Sequence, residues 1–405
     1  MKFNEIGLHD NLLEALDCMG FEKATPIQEK AIPKIIAGED IIGCAQTGTG
    51  KTAAFILPVL NKIIVKKYKH TSTLIIVPTR ELALQIDQQI QGLAYFTGAT
   101  SICLYGGGKA GDWQVQKKAM DQGVDIIIAT PGKLITHLIM KSVNVDTIEN
   151  LIFDEADRML DMGFYEDICR IISFLPAKRQ NLMFSATMPP KIRDLAKRFL
   201  TNPFEISIAI SKPSEAIAQS AYLTYDAQKE PLLASIIDSK KNYNSILIFT
   251  STKRKVSGIV KSLKGKGYKV KGISSDLEQK DREDVLLDFT TKKTRVLVAT
   301  DVISRGIDIK DINLVINYDV PKNPADYVHR IGRTARAETK GEAITMINED
   351  DMYKFKNIEK LIEKEVPKQK LPEELGKGPT WNTNSKRNGG KKFYGKKKKF
   401  YGKKK

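Results

Sequence analysis

The chain has 405 residues, which is enough for two domains of ordinary size and a further segment. Hydrophobic residues make up 41% of it, so two cores can form, and no apolar run is long enough to predict a membrane span. The formal net charge is +17, and 12 of the Lys and Arg residues lie in Gly376–Lys405, which has no Asp or Glu. We therefore expect a polyanionic partner.

The N-terminus and the cysteines indicate where the protein works. Met1–Asp10 lacks the basic-then-apolar pattern of an export signal. The four cysteines are far apart in the sequence, at Cys18, Cys44, Cys103 and Cys169. We expect a reduced, cytoplasmic protein with no zinc site and no disulfide framework.

Short apolar runs alternate with longer amphipathic segments along most of the chain. This alternation predicts an α/β fold in which helices cover both faces of a parallel sheet. The pattern lapses in 208–219 and then restarts, which predicts a first domain at 1–207, a linker at 208–219 and a second domain at 220–372. Residues 373–405 are predicted to be a disordered tail. The runs predicted as strands are Ile41–Cys44, Leu74–Val77, Ile126–Ala129, Leu151–Phe153, Asn181–Phe184, Ile246–Phe249, Arg295–Ala299, Leu314–Asn317 and Ala343–Ile347.

Ala45–Thr52 reads Ala-Gln-Thr-Gly-Thr-Gly-Lys-Thr between a predicted strand and a predicted helix. A glycine-rich turn that leads into a helix N-terminus can bind a polyphosphate through backbone N–H groups. Lys51 would reach the β- and γ-phosphates, and the Thr52 hydroxyl would ligate Mg²⁺. Ala45 stands where the strict pattern has Gly. The residues predicted to contact the phosphates are Gly48, Thr49, Gly50, Lys51 and Thr52.

Polar clusters follow the predicted strands, at 78–81, 130–132, 154–157, 185–187 and 301. The carboxyl ends of parallel strands meet at one edge of a sheet, where ligands bind. Three carboxylates lie within 154–157, directly after an apolar strand, and such a group is costly to bury without a cation or water. We predict that Asp154 holds Mg²⁺ through water and that Glu155 positions and deprotonates the attacking water.

From Phe3 to Arg336 the motifs resemble those of DEAD-box ATP-dependent RNA helicases. Thr25-Pro26-Ile27-Gln28 resembles the Q motif, 299–308 resembles motif V, and His329–Arg336 resembles motif VI. Ala24 and Ala335 depart from the residues that are usual in the family. The resemblance implies two tandem RecA-like domains that bind ATP, Mg²⁺ and RNA.

The resemblance also implies individual roles at the nucleotide. Gln28 would read adenine, since its amide both donates and accepts. Lys51 and Glu155 would be catalytic in the first domain, with Arg333 and Arg336 as arginine fingers from the second. The other implied contacts are Phe3 and Phe21 at the base, Asp308 at the ribose, and Asp157, Ser185, Thr187 and His329 in coupling between the domains.

Contacts to RNA are implied in the same way, through the backbone and independently of base sequence. Lys133 stands where the family commonly has Arg, so a forked contact is not expected there. The implied RNA-binding residues are Pro78, Thr79, Arg80, Gly106, Gly107, Thr130, Pro131 and Gly132 in the first domain, and Gln279, Arg282, Thr300 and Arg305 in the second.

The predicted activity is ATP hydrolysis coupled to local RNA unwinding or RNA–protein remodelling, by a monomer that acts on RNA or ribonucleoprotein. Two alternatives remain open at this stage: an ATP-timed RNA clamp or annealing chaperone that acts mainly through its tail, and a helicase that acts on DNA. The tail contains a repeat, since Lys391–Lys397 and Lys398–Lys404 both read Lys-Lys-Phe-Tyr-Gly-Lys-Lys. Within the family, Val328–Arg336, the compact core and the short basic tail most resemble the RhlE group.

Overall fold

The computed structural model describes residues 1–45, 48–107, 112–208, 216–274, 276–300, 312–334 and 341–383. In these residues two seven-stranded parallel sheets follow one another along the chain. Helices pack on both faces of each sheet, and separate hydrophobic clusters lie on the two faces. Among the described residues, no helix is both long and apolar enough to cross a membrane.

The first sheet has the strand order β3-β4-β2-β5-β6-β1-β7. Its strands are β1 (Ile41–Cys44), β2 (Thr73–Ile76), β3 (Ser101–Leu104), β4 (Ile126–Ala129), β5 (Asn150–Phe153), β6 (Gln180–Ser185) and β7 (Phe204–Ser207). Its helices are α1 (Asp10–Cys18), α2 (Pro26–Ile36), α3 (Lys51–Lys66), α4 (Arg80–Leu93), α5 (Asp112–Gln122), α6 (Pro131–Ile139), α7 (Ala156–Asp161), α8 (Tyr165–Phe174) and α9 (Pro190–Phe199).

The second sheet has the order β10-β11-β9-β12-β13-β8-β14. Its strands are β8 (Ile217–Leu223), β9 (Ile246–Phe249), β10 (Val270–Ile273), β11 (Val296–Ala299), β12 (Leu314–Asn317), β13 (Gly341–Ile347) and β14 (Lys368–Gln369). Its helices are α10 (Asp226–Ser239), α11 (Lys253–Gly265), α12 (Gln279–Thr290), α13 (Pro324–Ile331) and α14 (Met352–Ile362). Single-turn helices also occur at Phe3–Glu5, Glu349–Asp351 and Glu373–Leu375.

The predicted strands lie in the centres of the two sheets, and the strands that sequence analysis missed lie at or near the edges. β4 and β9 are buried along their whole length and read as unbroken apolar runs, because helices cover both of their faces. β3, β7 and β10 are edge strands and only partly buried. A strand that is half in water needs fewer apolar residues, so its sequence signal is weak.

Two predicted boundaries differ from the structure. β8 begins at Ile217, inside the predicted linker, because this strand pairs with β13. Residues 373–383 pack on the second domain, although we predicted them as tail. The Gln228 side chain donates to the carbonyl of Leu375 at 2.8 Å, and the Trp381 ring meets the Phe355 ring edge-on at 6.4 Å. Residues 209–215 of the linker and 384–405 of the tail lie outside the described residues.

Candidate active site

The predicted phosphate-binding loop leads from β1 into α3, as its sequence predicts. Gly48 and Gly50 have φ values of 85° and 89°, which is left-handed backbone where a side chain would be strained. Lys51 is buried, and its ammonium group donates to the carbonyl oxygen of Ala45 at 2.5 Å. Thr52 lies half-buried in the first turn of α3. Gln46 and Thr47 lie outside the described residues.

Gln28 braces this loop, a role that sequence analysis did not predict. Its amide oxygen accepts from the backbone N–H of Thr25 at 2.8 Å, and its amide nitrogen donates to the carbonyl of Gly50 at 3.1 Å. A Cβ on Gly50 would lie 2.5 Å from that nitrogen and would displace the Gln28 amide, in addition to the strain at its φ of 89°. Gln28 is 2% exposed, and each amide atom keeps one further hydrogen-bonding capacity. Adenine reading by Gln28 therefore stays a prediction.

Phe3 and Phe21 lie together beside the Q motif, as the motif spacing implies. Their rings meet edge-on with centroids 6.5 Å apart. Phe3 is buried in the core of the first domain, whereas Phe21 is only partly buried and packs against that core. The partly exposed ring is the one that a nucleotide base could reach.

Asp154 and Glu155 follow β5 at the carboxyl edge of the first sheet. Asp154 is 3% exposed, and its burial raises the pKa of the carboxyl group to about 6, against the opposing attraction of Lys51. Its carboxylate accepts from the backbone N–H of Glu155 at 2.9 Å. The Glu155 side chain accepts from Arg158 at 2.9 Å, one turn along the chain. The two carboxylates are therefore held in different environments.

Asp157, Ser185 and Thr187 form one hydrogen-bonded unit, which joins β5 and β6 at their ends. The Asp157 carboxylate accepts from the Thr187 backbone N–H at 3.0 Å and from its hydroxyl at 2.8 Å. The Ser185 hydroxyl accepts from the backbone N–H of Asp157 at 3.2 Å and donates to the carbonyl of Thr187 at 2.7 Å. Three of the predicted coupling residues are thus in contact.

Both domains line a cleft around these groups. The first domain contributes Lys51, Glu155 and Asp157, and the second contributes His329 and Arg333 from α13 and the turn after it. The cleft also contains residues that sequence analysis missed: Arg158, Asp161, Ala186, Asn323, Ala325 and Asp326. For two of these residues the sequence contains a pattern that could have identified them. Arg158 lies three residues after Glu155, a spacing that pairs charges on a helix, and Asn323-Pro324 is typical of a helix start.

Arg330 belongs to motif VI, as Arg333 does, but its side chain lies in a different environment. It is buried, and its guanidinium group donates to the Asn317 side chain at 3.0 Å and to the carbonyl of Asp319 at 2.7 Å. The group also lies 5.1 Å from the centre of the Phe249 ring. Arg330 therefore ties α13 to the second sheet, while Arg333 lines the cleft.

The residues predicted to bind RNA also lie where strands end. In the first domain, Thr79 caps α4 by accepting from the Leu82 N–H at 3.3 Å, Gly106 and Gly107 follow β3 in an exposed bend, and Pro131 begins α6. Pro78 follows β2, Thr130 and Gly132 lie at the start of α6, and Thr300 follows β11.

Arg80 and Arg282 form ion pairs between the domains. Arg80 donates to Glu283 at 2.8 Å, and Arg282 donates to Glu81 at 3.1 Å. The two contacts are reciprocal, because each domain contributes one arginine and the glutamate that follows it. The structure therefore gives both arginines a role in holding the domains together, which the sequence did not predict.

Comparison with known proteins identifies the family. Residues 25–195 match the model for DEAD/DEAH box helicases, and residues 228–338 match the model for the helicase conserved C-terminal domain. The ATP-dependent RNA helicase CshA of Listeria monocytogenes is 40% identical over 94% of this chain and 71% of its own. The chain belongs to the DEAD-box ATP-dependent RNA helicases. The helicase is thus an RNA-dependent ATPase, and the alternative of a clamp that acts mainly through its tail is not favoured.

Solved structures match the helicase in fold and differ in how well they superpose. A point variant of Saccharomyces cerevisiae Dbp5 bound to RNA and ADP BeF3 gives a TM-score of 0.80 at 30% identity, covering 91% of this chain and 95% of that one. The same Dbp5 variant bound to Nup159, a Gle1 variant, IP6 and ADP gives 0.63 at 29% identity, with 89% and 95% covered. Of these two structures, the one bound to RNA superposes better on the helicase.

Some predictions are not confirmed. The relative from Listeria carries the name CshA, so the finer placement in the RhlE group lacks support. Arg305, Asp308 and Arg336 lie outside the described residues, as does the side chain of Gln279.

Proposed function

We propose that the helicase hydrolyses ATP in the cleft between its two domains and so couples hydrolysis to RNA binding. The observation that carries this proposal is the composition of the cleft. Lys51 and Glu155 come from one domain and Arg333 from the other. Neither domain alone contains all three groups, so turnover requires the closed arrangement.

The donor set fits Mg²⁺. Asp154 is a buried carboxylate whose raised pKa shows that its charge lacks solvation, and Thr52 adds a hydroxyl in the first turn of α3. Among the described residues, no group of three or more His, Cys, Asp or Glu side chains could hold a metal ion. That agrees with a nucleotide-bound Mg²⁺, which keeps several waters and takes one or two protein ligands. When bound, the ion neutralises the charge of the β- and γ-phosphates.

Each side chain then has a definite role in hydrolysis. Lys51 leaves the Ala45 carbonyl to bind the β- and γ-phosphates, and Glu155 accepts a proton from the attacking water. As the water oxygen bonds to the γ-phosphorus, the bond to the bridging oxygen breaks and ADP leaves. Arg333, with Arg336, stabilises the charge that spreads over the γ-phosphoryl oxygens.

RNA would bind across both domains at the edge formed by the strand ends. The residues named there present backbone N–H groups, hydroxyls and arginines, which suit phosphates and sugars. Phe21, Gln28 and Asp308 would hold the adenosine, and the buried Phe3 ring would support Phe21 from behind. We further propose that the helicase is a monomer that acts on RNA or ribonucleoprotein in the cytoplasm. It would belong to the RhlE group or to the CshA group.

Arg333→Ala tests the shared site. We expect RNA-stimulated ATPase to fall by roughly 10³–10⁵, because such a finger acts only on the closed state. ATP affinity without RNA should change little. Arg170→Ala, which removes an exposed arginine of α8, is the control. Normal stimulated turnover in Arg333→Ala would disprove the shared site.

A further inference from the structure

The segment from Lys253 to Lys271 has an unusual charge. It contains eight Lys and Arg residues and no Asp or Glu. It forms α11 and the first two residues of β10, the edge strand of the second sheet. None of the residues described as lining the cleft comes from this segment.

Three of the eight cations have carboxylate partners. Lys253 pairs with Asp276 at 2.8 Å, Lys255 pairs with Asp319 at 2.8 Å, and Lys271 pairs with Asp288 at 2.5 Å. The other five are exposed, and within the described parts of the chain they form no ion pair. We name these five the basic strip: Arg254, Lys261, Lys264, Lys266 and Lys269.

Packing directs the basic strip outward. Val256, Ile259 and Leu263 are buried on the inner side of α11. A Cβ on Gly272 would lie 2.8 Å from Val256, so the helix lies close against β10. The 13 residues of α11 span about 20 Å. Arg254, Lys261 and Lys264 are therefore held in a row on the helix, and Lys266 and Lys269 follow it in the connection to β10.

The basic strip begins beside the predicted RNA site. The Lys253–Asp276 pair joins the start of α11 to the loop before α12. Gln279 and Arg282 lie in the first turn of α12. From there α11 runs antiparallel to the strands, away from the domain interface. A strand of RNA that leaves the core at this edge could continue along the helix.

We propose that the basic strip binds the phosphates of RNA that extends beyond the core site, which rests on the proposed RNA-binding function. Unpaired like charges in a row repel each other, and a bound polyanion relieves this repulsion while its counterions are released. Lysine suits the task, since it is a flexible point charge that needs no fixed phosphate geometry. The one aromatic ring of the segment, Tyr268, donates its hydroxyl to Asp238 at 2.6 Å, so the contact is independent of base sequence.

The test compares two variants of the full chain that lose equal charge. The strip variant carries Lys261→Gln, Lys264→Gln and Lys266→Gln. The control carries Lys360→Gln, Lys364→Gln and Lys370→Gln, which removes exposed lysines of α14 and of the residues after it, near the opposite sheet edge. Binding to a short and a long single-stranded RNA is measured across a range of salt concentrations.

We expect only the strip variant to lose affinity, and only for the long RNA, by about tenfold at low salt. Its log–log salt slope should flatten by about two units, since three phosphate contacts on a single strand contribute about 0.7 each. Replacing the same three lysines with Arg should restore both. Unfolding temperatures equal to the parent's would show that the variants are folded.

Two outcomes would overturn the proposal. One is equal affinity of the strip and control variants for the long RNA at every salt concentration. The other is an equal loss on short and long RNA, which would mean that the lysines act on the core site. A parent protein whose ATPase no RNA stimulates would instead contradict the proposed function, so the two failures are distinguishable.

Discussion

At the scale of single residues, the backbone of Glu155 is the most informative feature of the site. Its φ is 52°, the left-handed region that residues other than Gly seldom adopt. The residue is held there by its place between β5 and α7, by the Asp154 carboxylate and by Arg158. Such strain persists when the surrounding structure imposes it, and it often marks a functional group. Here it aims a carboxylate into the cleft.

Glu155→Gln should therefore keep binding but lose turnover. The amide fills the same space and cannot accept the proton, so we expect the rate of ATP hydrolysis to fall by roughly 10²–10⁴. ATP and RNA affinities should stay close to those of the parent. Single-turnover hydrolysis measures this, with Glu166→Gln on the exposed side of α8 as the control. A parent-like rate would disprove the role as general base.

His137 is a second informative residue, since it is buried among neutral partners in α6. It lies 2.8 Å from the Ser142 hydroxyl, and its ring stacks on Trp113 at 4.1 Å. Burial lowers the pKa of His137 to about 4 from its ordinary value near 6.5, and the nearby charge of Lys133 adds to this shift. The histidine is neutral in the folded protein.

This gives stability a defined pH dependence. Between pH 6.5 and 4 the unfolded chain binds a proton that the folded chain does not, so stability falls as the pH falls through this window. We expect the parent to lose up to about 2 kcal/mol more than His137→Gln between about pH 7 and pH 4. Chemical denaturation followed by tryptophan fluorescence measures this difference in stability. Identical pH profiles for both proteins would contradict the assignment.

At the scale of secondary-structure elements, α4 and α12 each contain an Arg-Glu pair in their first turns. Arg80–Glu81 faces Arg282–Glu283 across the domain interface in two reciprocal ion pairs. Partly exposed pairs are worth about 1 kcal/mol or less each, so they bias the closed arrangement without locking it. The helices that border the predicted RNA site thus also carry the contact between domains.

A charge swap separates these two roles. Arg282→Glu places two acidic groups opposite each other, and we expect RNA-stimulated ATPase to fall by about tenfold. Adding Glu81→Arg restores the ion pair in reverse. Recovery of turnover in the double variant would assign Arg282 to domain closure. Turnover that stays low, together with weak RNA binding, would instead assign it to RNA phosphates.

At the scale of the whole molecule, the second domain extends further than its motifs. Trp381 packs on Phe355, and Lys368 lies 4.7 Å from the centre of the Trp381 ring. The next residues to Thr383 stay against α14. The basic repeats begin after this anchor, so an informative truncation removes 384–405 and keeps Trp381.

We expect this truncation to leave intrinsic ATPase and thermal stability intact but to weaken RNA binding. Residues 384–405 carry 11 Lys and Arg. If about half of them meet phosphates, the log–log salt slope on single strands should flatten by about four units. Alanine at Phe393, Tyr394, Phe400 and Tyr401 should lower affinity with little change in slope, since stacking releases no counterions. Unchanged RNA affinity at all salt concentrations would show that the tail takes no part in binding.

The sequence by itself determined the fold class and the central strands. Ile126–Ala129 and Ile246–Phe249 were predicted to the residue, because strands covered on both faces must be apolar throughout. The polar clusters after such strands could be placed at one sheet edge, because parallel strands all end there. Local pattern and topology were sufficient for these features.

Only the tertiary structure decided which distant groups meet. Gln28 bonds to Gly50, Arg80 pairs with a glutamate 203 residues away, and Trp381 covers Phe355. Each contact depends on how helices pack and how the two domains approach, and no short-range pattern encodes that. Edge strands such as β3 escaped prediction for a related reason. Their apolar content depends on which neighbours cover them, and that is a property of the assembled sheet.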